Sequence, residues 1–314
     1  MNELHILFLQ CGKENQIHAI VNHVIEYPYH NRSATKSKVE LVMNVPSSEI
    51  RFHITTVGDT SLPRIVFLHG FLGSGSDWLP IARQLEKEYC CLLVDLPGHG
   101  DTPISAQGNS NLFFIETIDA LAAELRRTAS PPCLLVGYSM GGRVALALLM
   151  RHPDFFEKAI IVSASPGLRT EEERIARKAG DEGIARKIEK NFEEFIQAWY
   201  DQPLFATLKS HPLFLEVERE RKINNPGNLA AALRLLGTGR QPSFWDELPA
   251  NRVPIQFFAG EKDLKFVEIG VQMVNLCPES KLEIFPGCGH TLHIENRELF
   301  LDRLKTFFNK LQPS

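Results

Sequence analysis

The sequence has few cysteines, no long apolar run and no surplus of positive charge, and each shortage excludes a class of protein. Six cysteines in 314 residues, with no Cys-x-x-Cys pair, disfavour a disulfide scaffold and offer no zinc-binding spacing. No apolar run approaches the roughly 20 residues of a membrane span. Lys and Arg number 34 against 38 Asp and Glu, a net charge of −4, which disfavours nucleic-acid partners and polybasic membrane anchors. These features indicate a cytoplasmic globular protein with reduced thiols.

Short apolar runs alternate with longer helical stretches from about residue 50 onwards. The runs Cys91–Val94 and Leu134–Val136 are apolar throughout, as are strands that are buried on both faces of a parallel sheet. The alternation predicts an α/β protein whose parallel sheet is connected by crossover helices. The predicted strands are Ile50–Val57, Arg64–Leu68, Cys90–Val94, Cys133–Val136, Ala159–Val162, Pro254–Phe258 and Lys281–Phe285. The predicted helices are Trp78–Glu88, Leu112–Thr128, Gly141–Arg151, Phe266–Leu276 and Arg297–Leu311.

A charged segment, residues 168–248, interrupts this alternation with a helical pattern that prolines punctuate. We predict that it forms a helical cap over the active-site edge, inserted after the sixth strand, while residues 49–167 and 249–314 form the core. The predicted cap helices are Glu171–Arg177, Phe192–Tyr200 and Leu229–Leu236. Residues 1–48 fit neither pattern and are predicted to be an N-terminal extension of unknown role. One hypothesis places the start of the functional domain at Met43.

The strongest motif is Gly-x-Ser-x-Gly at residues 137–141, between a strand-like run and a helix-like run. In this context the motif is typical of a nucleophile elbow, where the serine occupies a sharp and strained turn. The flanking glycines are required because larger residues would clash. The turn also places Ser139 at a helix N-terminus, which favours developing negative charge. We predict that Ser139 is catalytic.

Two further residues occur in the order that a Ser–acid–His triad requires in this type of fold. Asp263 and His290 each follow a predicted strand, so both are expected at the carboxyl edge of the sheet beside Ser139. We expect His290 to accept the serine proton and Asp263 to set the imidazole tautomer. Glu261 is a rival acid that is less well placed inside its turn, and Asp95 is a weaker rival.

A His-Gly-Phe sequence at residues 69–71 directly follows the second predicted strand. In folds with a nucleophile elbow, such a loop supplies one backbone N–H of the oxyanion hole, and the residue after the nucleophile supplies another. We therefore assign these two N–H groups to Phe71 and Met140. His99, in a turn rich in glycine, is interpreted as structural.

Arg143 follows Ser139 by four residues, so on a helix it returns to the same face one turn later. This spacing predicts a guanidinium beside the catalytic pocket. A buried charge is costly unless it is paired, and a substrate carboxylate would be a bidentate partner. The alternative is a structural pair between Arg143 and a carboxylate of the protein.

Together these features resemble the α/β-hydrolase superfamily over about residues 50–311. They further resemble one family, the 2-succinyl-6-hydroxy-2,4-cyclohexadiene-1-carboxylate synthases of menaquinone biosynthesis. The more specific matches are the arginine after the elbow, Pro-Gly-Leu at 166–168 with Arg-x-x-Arg at 174–177, Trp-Tyr-x-Gln-Pro at 199–203 and Asp-x-Lys-Phe at 263–266. The resemblance implies an α/β-hydrolase fold with a mostly parallel sheet and a helical cap.

The resemblance also implies a lyase that eliminates pyruvate from an enolpyruvyl-bearing cyclohexene with succinyl and ring carboxylates. In this family the triad serine acts as a base towards a carbon-bound proton and forms no acyl-enzyme. The oxyanion-hole N–H groups would stabilise the charge that develops on the substrate. The implied substrate-binding residues are Arg143, Arg177, Arg221, Tyr138, Trp199 and Lys265.

The expected ligand is therefore a small polycarboxylate, bound in a cationic pocket of a monomer or small homo-oligomer without a metal or organic cofactor. Two alternatives share the same motifs. One is a carboxylesterase or C–C bond hydrolase of a small carboxylate substrate, and the other is a non-catalytic ligand-binding member of the fold. The intact set of Ser139, Asp263 and His290 favours an enzyme over a receptor.

Overall fold

The computed structural model describes residues 50–104 and 112–309. The predicted extension, residues 1–48, and the hypothetical start at Met43 lie outside the described residues. The described strands are β1 (Ile54–Val57), β2 (Arg64–Leu68), β3 (Cys90–Val94), β4 (Cys133–Tyr138), β5 (Phe156–Val162), β6 (Ile255–Gly260) and β7 (Ser280–Phe285). They form one sheet in the order β1-β3-β2-β4-β5-β6-β7. Only the β1–β3 pair is antiparallel among these strands, which confirms the predicted, mostly parallel sheet.

The local sequence pattern predicts the ends of some strands correctly, whereas the ends of others depend on pairing with a neighbouring strand. The predicted bounds of β2 and β3 are confirmed at both ends. β1 begins at Ile54 rather than Ile50, because the antiparallel ladder with β3 starts there. β4 continues through Gly137 and Tyr138, since both residues pair with β5. The strand therefore runs up to the predicted elbow.

Helices cover both faces of the sheet. The described helices are α1 (Leu79–Leu85), α2 (Phe113–Thr128), α3 (Met140–Arg151), α4 (Glu171–Lys190), α5 (Phe192–Tyr200), α6 (Ala206–Lys209), α7 (Phe214–Arg221), α8 (Pro226–Leu236), α9 (Leu264–Leu276), α10 (Leu292–Glu295) and α11 (Arg297–Asn309). α2, α3 and α9 bury their apolar side chains against one face, and α1 and α11 bury theirs against the other. None of the described helices is both long enough and apolar enough to cross a membrane.

Five helices, α4 to α8, lie between β5 and β6 and correspond to the predicted cap. The insertion follows the fifth described strand, which corrects the expected position after a sixth strand. All five runs that were predicted as strands before residue 168 pair into the sheet, so the expected sixth strand has no counterpart in the described part of the chain. The insertion has its own apolar cluster, built from α4, α5, α6 and α8, and the core residue Leu72 packs into it.

The first cap helix, α4, is much longer than the predicted segment ending at Arg177. Thr170 and Glu173 form a capping box at its start, which satisfies backbone N–H groups that a helix leaves free. Most of its side chains are exposed, and few of them, Ala185 and Ile188 among these, are buried. The helical repeat of apolar residues in this segment is therefore weak, and the sequence does not show how far the helix extends.

Candidate active site

Ser139 occupies the turn between β4 and α3 with φ +51° and ψ −106°. A positive φ is costly for a residue with a side chain and is found most often at functional turns. The turn closes because Gly141 packs directly on the backbone carbonyl of Leu68, and a Cβ atom at Gly141 would overlap it. A Cβ atom at Gly137 would likewise meet the carbonyl of Gly141. The sequence motif therefore produces the strained elbow that it predicts.

His290 connects Ser139 to Asp263 across the carboxyl edge of the sheet. The His290 Nε2 atom lies 3.1 Å from Ser139 Oγ, and the His290 Nδ1 atom lies 2.7 Å from Asp263 Oδ2. The side chains of His290 and Asp263 are almost completely buried. The rival Glu261 is exposed and accepts a hydrogen bond from the Gly287 N–H. The order and spacing of a Ser–His–Asp arrangement are thus present around His290.

Two backbone N–H groups beside Ser139 are available to a ligand. Phe71 and Met140 line the same cavity as Ser139, and neither N–H donates to an acceptor within residues 50–104 and 112–309. The next N–H, that of Gly141, donates to the His69 carbonyl at 2.9 Å. The pair therefore has the composition of an oxyanion hole, with the N-terminus of α3 directed at it.

His69 holds the loop that carries Phe71. Its buried ring donates from Nδ1 to the Gly70 carbonyl at 2.7 Å and accepts at Nε2 from the Leu96 N–H at 2.9 Å. Burial lowers the pKa of His69 below its ordinary value, with only partial compensation by the bond to Gly70. The neutral ring thus satisfies both nitrogens and fixes two loops at the sheet edge. Sequence reasoning assigned this histidine no role.

A cavity of about 270 Å³ opens above Ser139, between the sheet edge and the helical insertion. Every residue predicted for the site lines it except Asp263, which lies behind His290. The lining cations are the four predicted from the resemblance, Arg143, Arg177, Arg221 and Lys265. The cavity is therefore cationic, although the whole chain carries a net charge of −4.

Arg143 is buried at the cavity wall, with 8% of its surface exposed. Its Nη1 donates to Gln241 Oε1 at 3.2 Å, and its Nη2 donates to the Leu236 carbonyl at 3.0 Å. Among the described residues, no carboxylate oxygen lies within 4.0 Å of a nitrogen of Arg143, the distance that defines an ion pair. Burial and the nearby charge of Arg177 lower the pKa of Arg143 to about 10. A buried guanidinium with only neutral acceptors is costly by itself and is suited to an anionic ligand.

The other two cavity arginines have protein carboxylates as partners. Arg221 forms a bidentate ion pair with Asp77, at 2.6 Å and 2.8 Å. Arg177 donates from Nε to Asp181 at 2.7 Å, and its side chain is 42% exposed. The sequence predicts one shared role, substrate binding, for all three arginines. In the structure Arg177 and Arg221 bond to carboxylates, whereas Arg143 bonds to neutral oxygens.

Lys265 and two aromatic residues complete the predicted lining. Lys265 is exposed, and partial burial together with the charge of Arg177 lowers its pKa below the ordinary value. The Tyr138 ring lies 5.4 Å from the His290 ring, and burial raises the pKa of its hydroxyl well above the usual value. Trp199 contacts Phe71 at 5.6 Å between ring centroids. Trp199 also lies 5.5 Å from the ring of Phe195 in its own helix, so it lines the cavity and packs in the cap at the same time.

Two lining residues of the cavity carry buried polar atoms that sequence reasoning did not single out. Ser163, at the end of β5, has φ +46°, and its buried Oγ has no hydrogen-bond partner among the described residues. His293 Nδ1 is likewise buried without such a partner, and its ring lies 4.7 Å from the ring of Trp78 and 4.4 Å from that of Tyr138, tilted against both. No turn motif marks the positive φ of Ser163, and His293 lies in the run Gly-His-x-x-His at residues 289–293, in which only His290 was given a role.

The residues His53, Asp95 and Asp101 form a cluster whose ligand-type atoms lie within 4.8 Å of one another. Asp95 Oδ1 accepts from the Gly75 N–H at 2.6 Å, and Asp95 Oδ2 accepts from the Asp101 N–H at 2.9 Å. His53 also contacts Asp95 Oδ2. Through these bonds Asp95 holds neighbouring loops together. Asp95 is therefore not the acid that pairs with His290, which bonds to Asp263.

Known proteins similar to this chain identify its family. Residues 63–297 match the family model of the α/β hydrolase fold, and every predicted site residue falls in that range. The 2-succinyl-6-hydroxy-2,4-cyclohexadiene-1-carboxylate synthase of Enterobacter sp. (strain 638) is 34% identical over 248 residues, which cover 77% of this chain and 90% of that relative. The chain belongs to this synthase family.

One solved structure and one further relative are similar to this chain at the same level of identity. The structure of MenH from S. aureus superimposes with a TM-score of 0.76 at 31% identity and covers 83% of this chain and 98% of that chain. Protein PHYLLO, chloroplastic, from Arabidopsis thaliana is 31% identical over 293 residues, or 88% of this chain. This chain spans only 17% of the length of PHYLLO. The fold of this chain is thus shared along nearly the whole of MenH.

Proposed function

We propose that this chain eliminates pyruvate from 2-succinyl-5-enolpyruvyl-6-hydroxy-3-cyclohexene-1-carboxylate to give 2-succinyl-6-hydroxy-2,4-cyclohexadiene-1-carboxylate. Membership of the synthase family supports the reaction. The observation that carries the proposal in the site itself is Arg143, a buried guanidinium beside Ser139 whose described hydrogen-bond acceptors are neutral. A neutral ester would leave that charge unpaired, whereas a substrate carboxylate would pair with it.

In the proposed mechanism Ser139 is the base that removes a carbon-bound proton from the ring. His290 takes the hydroxyl proton of Ser139 as the serine oxygen accepts the proton from carbon, and Asp263 stabilises the imidazolium that forms. The electrons of the broken C–H bond form the double bond between C2 and C3, the ring double bond moves from C3–C4 to C4–C5, and the C–O bond at C5 breaks. The enolate of pyruvate leaves, and the imidazolium of His290 returns its proton to it, which gives pyruvate. Atoms and charge therefore balance without a cofactor.

The backbone N–H groups of Phe71 and Met140 would stabilise negative charge that develops on the substrate during proton removal. Arg143, Arg177 and Lys265 would hold the substrate carboxylates. Arg221 would contribute through its pair with Asp77 rather than as a free cation. Tyr138 and Trp199 would form the walls against which the cyclohexene ring packs.

The cytoplasmic location and a monomeric or small homo-oligomeric state belong to the same proposal, as does a small polycarboxylate as the partner. The five described cysteines are all buried and free, which is compatible with a reducing compartment.

Pyruvate release from the authentic intermediate tests the proposed reaction. The wild-type chain is expected to release one pyruvate per substrate, and Ser139→Ala is expected to lower kcat by about 10²–10⁴-fold, as for loss of a general base. Ser130→Ala, at an exposed loop serine, is the matched control and should retain full activity. Rapid hydrolysis of simple carboxylic esters without pyruvate formation would favour the esterase alternative instead.

Arg143→Ala tests the role of the buried cation. We expect a higher KM and a lower kcat, with a loss of about 2–5 kcal/mol in transition-state binding if the carboxylate pair is desolvated. Arg151→Ala removes an arginine from the far end of the same helix, where it pairs with Asp119 at the surface. Wild-type kinetics in Arg143→Ala would show that Arg143 does not bind the substrate and has a structural role instead.

A further inference from the structure

Gln241 lies behind Arg143 and is completely buried. It belongs to the segment between α8 and β6, where the chain returns from the helical insertion to the sheet. Its Oε1 atom accepts from Arg143 Nη1 at 3.2 Å, and its Nε2 atom donates to the Ser165 carbonyl at 3.4 Å. The second bond orients the amide so that its oxygen faces the guanidinium.

An amide oxygen orients a guanidinium without adding a compensating negative charge. A guanidinium has five N–H donors, and Gln241 and Leu236 accept from only two nitrogens of Arg143. The remaining donors stay available in the described structure, and the nearby Asp181, which acts on the charge of Arg143, forms its ion pair with Arg177 instead. Arg221 shows the opposite case in the same cavity, because the carboxylate of Asp77 is its bidentate partner.

We propose that Gln241 is a positioning and specificity-determining residue, which aims Arg143 at a substrate carboxylate while leaving the guanidinium without a carboxylate bonded to it. This inference rests on the proposed function, since it deepens the carboxylate recognition of the same site. A glutamate at this position would have nearly the same shape and would still accept from Arg143. It would supply the negative charge that the substrate otherwise supplies.

The charge requirement is tested by Gln241→Glu. We expect KM for the enolpyruvyl substrate to rise about tenfold or more, as when a desolvated carboxylate pair is weakened, with a much smaller change in kcat. Gln272→Glu is the matched control, because Gln272 Oε1 accepts from Arg169 at 3.2 Å outside the cavity lining. The control should keep the wild-type KM. Unchanged KM in Gln241→Glu would overturn the inference.

The positioning role is tested by a double-mutant cycle with apolar residues of similar length. Gln241→Met removes the acceptor and should raise KM when Arg143 is present. In the Arg143→Met background the same substitution should have little further effect, because the residue acts through Arg143. Circular dichroism and the thermal midpoint of each variant identify any loss of folding. Equal effects of Gln241→Met in both backgrounds would show a merely structural role.

Succinate binding measured by calorimetry distinguishes this inference from the proposed reaction. Succinate is a dicarboxylate probe whose binding requires no turnover, and Gln241→Glu should weaken it. If the wild type binds succinate and Gln241→Glu weakens that binding, but no pyruvate is released, only the proposed reaction fails. If pyruvate is released and both KM and succinate affinity are unchanged in Gln241→Glu, only the inference fails. A wild type that shows neither activity nor binding contradicts both.

Discussion

Arg221 of the helical insertion and Asp77 of the core form a bidentate ion pair with both side chains largely buried. The two N–O distances are 2.6 Å and 2.8 Å, and the exposed fractions of the side chains are 9% and 13%. Burial lowers the pKa of Arg221, but the charge of Asp77 more than compensates and raises it above the ordinary value. The pair thus joins the insertion to the loop after β2 and keeps one cavity arginine neutralised.

Removal of the negative partner is expected to destabilise the fold. Asp77→Asn would leave Arg221 as an uncompensated buried charge, which typically costs about 3–5 kcal/mol of the free energy of unfolding. Urea denaturation measures this loss. Glu124→Gln is the control, since Glu124 pairs with an exposed arginine, Arg127, and such surface pairs contribute about 0–1 kcal/mol. Equal losses in the two variants would contradict a special role for the buried pair.

Asp263→Asn is expected to abolish most activity while leaving the fold intact. The amide would no longer stabilise the imidazolium of His290 or hold its tautomer, and comparable changes in serine triads lower kcat by on the order of 10⁴-fold. The pyruvate-release assay measures the effect. Glu261→Gln changes the rival acid, which lies exposed in the same turn, and should keep wild-type turnover. Full activity in Asp263→Asn together with a large loss in Glu261→Gln would show that Glu261 is the acid of the triad.

Buried histidines make folding stability depend on pH, and His99 and His293 contribute beside His69. Burial and the neighbouring His69 lower the pKa of His99 to about 3, and burial and the charge of Arg221 lower that of His293 to about 3. The ordinary value of 6.5 applies in the unfolded chain, which therefore binds more protons between pH 6.5 and pH 3. Stability is fully present above about pH 6.5 and is lost as the pH falls towards 3, by up to about 1.4 kcal/mol per pH unit for each histidine.

The matching experiment is urea unfolding of the wild type and of the His99→Asn, His293→Gln double variant between pH 7 and pH 4. The double variant is expected to have a lower stability at pH 7 and a shallower slope with pH. The slope is the decisive readout, because a purely structural loss would shift the whole curve without changing its dependence on pH. An unchanged slope would mean that these histidines do not titrate as their burial predicts.

Two glycine-to-alanine substitutions should have opposite effects on stability. Gly141→Ala would place a Cβ atom on the carbonyl of Leu68 and should disrupt the elbow, lowering both the thermal midpoint and the activity. Gly180 lies within α4, where a Cβ atom would meet nothing within 4 Å. Gly180→Ala should therefore stabilise the protein by about 0.5–1 kcal/mol, the difference in helix propensity. Thermal denaturation of both variants checks the contrast.

Local sequence patterns predicted most of the sheet, because strand periodicity and turn chemistry act over a few neighbouring residues. β2 and β3 have the predicted bounds, and the Gly-x-Ser-x-Gly turn lies between a strand and a helix as expected. α4 was underestimated because a solvated helix has little apolar period. All five runs predicted before residue 168 pair among the described residues, so the insertion follows the fifth described strand and not the expected sixth.

The sequence by itself determined the family, the mostly parallel sheet and the identity of Ser139, Asp263 and His290 as candidates, since each of the three follows a recognisable strand. Only the tertiary structure decided which cavity arginine keeps an uncompensated charge. Gln241 lies 98 residues from Arg143, and Asp77 lies 144 residues from Arg221. No local pattern relates residues so far apart, so the choice between a neutral and a charged partner is made only when the helical insertion packs on the sheet.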